Sequence, residues 1–129
     1  MKLDPNPCLY PFVLEPQFVH MINSLLKASK VDSNRGVLMR FRRRDHAKVH
    51  ADCRAIDVVI DSSGKLLQVI SYESSSSVKR LIFDFSLNTF QQSGCQYELV
   101  LSYGIFVLVA SCLAAYVESG EVTIEVSPL

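Results

Sequence analysis

The chain has 129 residues, 49% of them hydrophobic and 20% charged, and its 13 Lys and Arg balance 13 Asp and Glu to a formal charge of zero. That length fits one domain able to bury roughly two thirds of its unfolded surface, and the composition excludes a disordered tail or an overall polycation. Four cysteines, Cys8, Cys53, Cys95 and Cys112, are scattered without a C-x-x-C pair, which reads as reduced thiols in a cytoplasmic protein rather than a disulfide framework.

Residues 1–14 read as a Pro-punctuated N-terminal arm of a single domain spanning 1–129. Its apolar run from Leu9 to Leu14 is broken by Pro11 and preceded only by Lys2, so no signal peptide is expected. Glu15 and Pro16 then open a helix, the proline standing where its missing N–H costs nothing. Phe18, Ile22, Leu25 and Leu26 form its apolar stripe, and it ends near Ala28 to Lys30.

Past the turn formers Asp32, Ser33, Asn34 and Gly36 the hydrophobic period changes from about 3.6 to 2. Val37, Met39 and Phe41 alternate with Leu38, Arg40, Arg42 and Arg44, predicting a strand with one buried and one wet face. Further strands are predicted over Ala55 to Asp61, Lys65 to Glu73 and Arg80 to Phe85, the first two joined through Ser62, Ser63 and Gly64 as a hairpin. Ser74 to Ser77 connect rather than divide, and a turn is placed at Ser93 and Gly94.

From Leu99 to Val117 no residue is charged. The stretch approaches the length of a membrane span, but Ser102, Tyr103, Gly104 and Ser111 interrupt it and no basic cluster flanks it, so a helix from about Tyr103 to Glu118 inside a soluble domain is expected, and no membrane partner. Ser119 and Gly120 stop that helix, and Val122, Ile124 and Val126 alternate in a last strand closed by Pro128. The expected fold is therefore α+β: an N-terminal helix, an antiparallel sheet of about five strands, and a C-terminal hydrophobic helix packed on one sheet face before the last strand.

Several segments resemble a bacterial family known as domain of unknown function 2787, found in Vibrio and related bacteria and often carried on mobile elements. They are Phe41-Arg42, Arg54-Ala55-Ile56-Asp57, the stretch from Asp61 to Ile70, Phe83-Asp84-Phe85, and Tyr116-Val117-Glu118-Ser119-Gly120. The resemblance covers most of the chain from about Val37 onward, in matching order and spacing. The family loop is glycine-rich and acidic where this chain has the basic run from Arg43 to Asp52, and the last helix here lacks the family's polar and aromatic residues. The family is similar in fold to the mitochondrial matrix glycoproteins, oligomeric multi-ligand binding proteins without catalytic activity. The resemblance thus implies an α+β fold and a binding role, and supplies no catalytic residue.

Five of the basic residues, Arg40, Arg42, Arg43, Arg44 and Lys48, fall within nine positions. A local cluster of this kind attracts anions whatever the net charge, and a row of guanidinium groups on one strand face could read phosphates. The competing reading is a solvated edge strand guarded by charge. Nearby, His46, His50 and Cys53 with Asp45 and Asp52 are the only cluster with metal-ligand chemistry, but the spacing lacks a helix to bring the histidines together, and no metal or other cofactor is expected. Cys53 beside His50 lacks an orienting third group for a nucleophile. Asp57 and Asp61 read as solvated strand carboxylates, Asp84 as an outward residue between two buried rings, and Tyr97, Tyr103 and Tyr116 as core or interface.

No Gly-rich phosphate loop or nucleophile elbow occurs. The function expected is a non-enzymatic binding or scaffolding protein that self-associates through its apolar last helix as a homo-oligomer. The alternative is a nucleic-acid-associated accessory using residues 40–48.

Overall fold

In the computed structural model, residues 1–31, 34–44, 55–72 and 78–129 are described. Helix α1 runs Pro16–Ser29 with Pro16 in its first turn and stops at Lys30, whose φ of 54° is left-handed. It turns Phe18, Met21, Ile22 and Leu26 inward. The strands are β1 Val37–Arg43, β2 Ala55–Ile60, β3 Leu66–Tyr72, β4 Lys79–Asp84, β5 Thr89–Gln92, β6 Cys95–Glu98 and β7 Val122–Pro128, with helix α2 at Tyr103–Glu118 between the last two. Among the described residues short 3-10 turns lie at Pro7–Leu9 and Leu99–Ser102.

All seven strands form one antiparallel sheet in the order β6-β5-β4-β3-β2-β1-β7. The α+β class agrees with the sequence, but the count of about five strands does not. The difference is the hairpin β5–β6, two four-residue strands joined through Ser93 and Gly94 at φ 52° and 77°. Positive φ at both turn residues suits the twist of a two-residue hairpin, while Gln91, Gln92, Gln96 and Glu98 disguise its strands as loop. The edge-strand reading of β1 is also corrected, since β1 lies between β2 and β7 and the edges are β6 and β7.

One face of the sheet carries Val37, Met39, Phe41, Ile56, Val58, Ile60, Val69, Leu81, Phe83 and Phe90 into a single core with α1 and α2. Phe106 of α2 anchors it, with ring centroids 5.2 Å from Phe83, 5.5 Å from Phe85, 5.6 Å from Phe18 and 5.4 Å from Phe12. The register places Leu38, Arg40, Arg42, Asp57, Val59, Gln68, Ile70 and Ile82 on the opposite face.

The arm of residues 1–14 is built into the domain. Leu3, Tyr10 and Leu14 are buried, Asp4 N donates to Gly64 O at 2.8 Å, and the Tyr10 hydroxyl donates to Asp4 O at 2.7 Å while accepting from Leu66 N at 3.1 Å. Gly64, at φ 91°, lies so close to the Lys2 carbonyl that a Cβ there would collide with it. The β2–β3 turn is fixed from within by Asp61, whose Oδ1 accepts from Ser63 N, Ser63 Oγ and Lys65 N at 2.9, 2.6 and 2.9 Å.

Candidate functional site

Alternation along β1 separates the basic run into two groups. Arg40 and Arg42 project from the open face of the sheet, whereas Arg43 shares the inward parity of Phe41. Arg42 is committed to structure: Nη1 meets Asp57 Oδ1 at 3.0 Å and also donates to the carbonyls of Phe41 and Ile56 at 3.0 and 3.4 Å. Its guanidinium carbon lies 5.5 Å from the centroid of the Tyr72 ring, and the Tyr72 hydroxyl donates to Asp57 Oδ2 at 2.8 Å. Under these two side chains Asp57 is only 5% exposed. It is a buried ion-pair partner, not the solvated carboxylate expected.

Arg43 is committed as well. Its side chain is 8% exposed, with the guanidinium 4.1 Å over the Tyr116 ring and Nη2 3.3 Å from Glu121 Oε1. Among the described residues its Nε is buried and has no hydrogen-bond partner. Arg40 and Arg44 are exposed. Lys48 lies outside the described residues, as do Asp45, His46, His50, Asp52 and Cys53; of the arginines in the basic run, Arg42 and Arg43 are engaged within the domain and Arg40 and Arg44 are exposed. Among the described residues no three His, Cys, Asp or Glu side chains gather as a metal site.

Asp84 also departs from expectation. Phe83 and Phe85 are buried as foreseen, but Asp84 is itself buried and organises the β4–β5 turn: Oδ1 accepts from Ser86 N, Ser86 Oγ and Leu87 N at 3.0, 2.6 and 2.9 Å, and Oδ2 accepts from Gln68 at 3.0 Å. Burial pushes its carboxyl up, and the hydrogen bonds from Ser86, Gln68 and Leu87 more than reverse that, leaving it below the usual carboxylate value. Tyr72 goes the other way, pushed up to about 12 by burial first and then by its bond to Asp57 and that carboxylate's charge.

The most distinctive surface is the outer side of α2. Phe106, Val109, Ala110 and Leu113 face the sheet. The other side is also apolar: Leu108 is 67% exposed, Leu101 in the preceding turn 72%, and Cys112 is exposed between them and the C-terminal end. The stretch Leu99–Glu118, 20 residues, is long and apolar enough to cross a membrane by length and composition alone, and 28% of its most apolar window is buried. The helix ends in a tight αL stop, with Gly120 at φ 74°, Gly120 N bonded to Val117 O and Glu121 N to Tyr116 O. Between α1 and the C-terminal half of α2 runs an open groove of about 550 Å³ lined by Pro16, Gln17, His20, Met21, Ser111, Ala114, Ala115, Val117 and Glu118. A smaller depression of about 170 Å³ lies at the other end, lined by Phe90, Gln92, Tyr97, Leu101 and Ile105. The apolar helix is announced by its lack of charge; the grooves depend on how α1, α2 and β6 meet and have no sequence signal.

The fold defines a class: an α+β protein whose seven-stranded antiparallel sheet is covered by two helices on one face. A solved structure of that kind, a hypothetical protein from the VSP-II pathogenicity island of Vibrio cholerae, superposes with a TM-score of 0.73 at 13% identity, covering 98% of this chain and 98% of that one. At that identity the likeness is one of fold. No protein-family model matches the chain, and no curated protein matches it in sequence.

Proposed function

We propose that the chain is a non-enzymatic binding or scaffolding protein that self-associates in the cytoplasm, a member of the uncharacterised bacterial family its motifs resemble, with the oligomeric habit of the mitochondrial matrix glycoproteins. The observation that carries the reading is the doubly apolar α2, with Leu101 and Leu108 72% and 67% exposed in a stretch without a charged residue. A contiguous apolar surface on a small domain is covered in the working state, and removing it from water favours association. Asp57 and Asp84 are each held by partners within the domain, so neither is free to act as an acid or base.

Mass in solution, measured by light scattering or sedimentation over micromolar concentrations, tests the reading. A concentration-dependent oligomer that Leu108→Glu dissociates is the expected result. A strict monomer across that range removes self-association.

A second reading, a nucleic-acid-associated accessory, rests on the exposed Arg40 and Arg44 together with Lys48. Contacts of this type go to the phosphate backbone and weaken steeply with salt. Filter binding to DNA and RNA at low and moderate salt distinguishes it from the first.

A further inference from the structure

We infer that a small soluble ligand carrying two or more phosphate groups binds in the groove between the N-terminal arm and the exposed side of α1, held by Lys2, Lys27 and Lys30. The groove has a volume of about 750 Å³. It is separate from the surface of α2 and from Arg40 and Arg44, and it depends on neither reading above. His20, Asn23, Ser24 and Lys27 line it at spacings of three and four, so they lie along one side of the helix. Lys30 continues that line at the end of the helix, and Lys2 faces the same space from the arm. Among the described residues no Asp or Glu lines the groove, and none of the three lysines is in an ion pair.

Lys27 and Lys30 stand at the carbonyl end of α1, where positive charge offsets the helix dipole. That accounts for two of the lysines and not for the third. Lys2 belongs to another part of the chain, and its place is set by its neighbours rather than by charge. Leu3 is buried, Leu3 N donates to Asn23 Oδ1 at 2.7 Å, Asp4 N donates to Gly64 O at 2.8 Å, and the Lys2 carbonyl packs on Gly64. Asp4, the acid next along the arm, turns back to accept from Asn6 N at 3.0 Å and does not line the groove. The arm therefore holds a third ammonium group against a wall that already carries two. Like charges gathered around one concavity raise its potential and draw an anion into it.

The donors select the class of anion. An ammonium is a point charge suited to phosphate, whereas planar carboxylate recognition favours the fork of arginine, and no arginine lines this groove. The arm occupies Asn23 Oδ1, which leaves Asn23 Nδ2 to donate, and the Ser24 hydroxyl is a second neutral donor. From Asn23 to Lys30 these groups extend over about 10 Å of helix, more than a lone phosphate covers and suited to a short row of them. Met1, Leu26 and Val31 supply an apolar wall for the organic part of such a ligand. No Phe, Tyr or Trp lines the groove to stack the bases of a single strand, which disfavours nucleic acid there.

Calorimetric titration with tripolyphosphate at low salt tests the site. One saturable site per chain is expected, weakening as salt is raised, with inorganic phosphate binding less tightly. Lys2→Gln and Lys27→Gln are each expected to weaken tripolyphosphate by roughly tenfold, and to leave the urea midpoint unchanged because both side chains are exposed. Arg40→Glu with Arg44→Glu, and separately Leu108→Glu, should bind as the wild type does. The proposal is overturned by a wild type that takes up no tripolyphosphate at millimolar concentration, by lysine variants that bind in full, or by loss of binding in the arginine variant. Retention of single-stranded DNA through Lys2 and Lys27 without tripolyphosphate binding also overturns it and assigns the groove to a nucleic-acid backbone. Self-association is read by mass, so its failure and the failure of this site are told apart.

Discussion

The Tyr72 hydroxyl donates a 2.8 Å hydrogen bond to Asp57 Oδ2 on the open face of the sheet, and in doing so it covers a carboxylate that β2 would otherwise leave in water. Arg42 closes the other oxygen at 3.0 Å. The neutral phenol is the form this arrangement holds, since burial and the Asp57 charge push its pKa from 10.0 to about 12. A raised folded pKa means that the contribution is fully present below pH about 10 and is lost as pH rises from there toward 12. Tyr72→Phe is expected to cost about 1 kcal/mol at neutral pH and to flatten the alkaline loss of stability, which urea midpoints between pH 7 and pH 11.5 would register.

Asp84 gives the opposite pH signature. Its folded pKa is lowered by hydrogen bonds that outweigh burial, so its contribution is present above the unfolded carboxyl value of about 3.9 and disappears as pH falls through the lower folded one. Asp84→Ala, which strands Ser86 and Leu87 N–H groups at the β4–β5 turn, should cost about 1 to 3 kcal/mol near neutrality. The gap between variant and wild type should narrow in acid below pH about 4; a gap that is constant with pH would assign the loss to packing instead.

On α2 two leucines separate folding from association. Leu113 is fully buried against the sheet, and Leu113→Ala is expected to cost about 2 to 5 kcal/mol in the urea unfolding of the domain. Leu108 points away, and Leu108→Ala should change the unfolding of the dilute monomer by less than about 0.5 kcal/mol while weakening self-association. Equal effects on both properties would contradict this division of the helix.

For nucleic acid, Arg42 is the wrong residue to reverse, because Arg42→Glu places a second carboxylate against Asp57 and unsettles the sheet. Arg40→Glu with Arg44→Glu leaves the ion pair intact. Equal retention of DNA and RNA on filters by this double variant and the wild type would exclude the basic surface as a binding site.

Where residue period and burial coincide, the sequence was sufficient. Val37, Met39 and Phe41, Ile56, Val58 and Ile60, and Phe83 alternate into the core where expected. The hairpin β5–β6 escaped because its strands are four residues long and its outward positions are glutamine and glutamate, so no hydrophobic alternation extends far enough to register. Asp57 and Asp84 have the parity of solvated residues, and their burial comes from side chains on neighbouring strands, Arg42, Tyr72 and Gln68, whose register cannot be read from one strand alone. The same limit hid the fate of the arginine row: alternation put Arg40, Arg42 and Arg44 on the wet face, but a period along one strand cannot show that Arg42 meets Asp57 and Tyr72 of neighbouring strands.

Strands β6 and β7 follow one another in the chain yet occupy opposite edges of the sheet, so α2 is a girder whose length is set by the width it must cross. Six inter-strand gaps of about 4.8 Å make roughly 29 Å, and 16 helical residues supply about 24 Å of it, with the preceding turn adding the remainder. A shorter α2 would leave less chain to bring β7 to β1, whose Val37 pairs with Pro128. During synthesis the edge of β1 that faces β7 therefore stays bare until β2 to β6 and α2 have all been made.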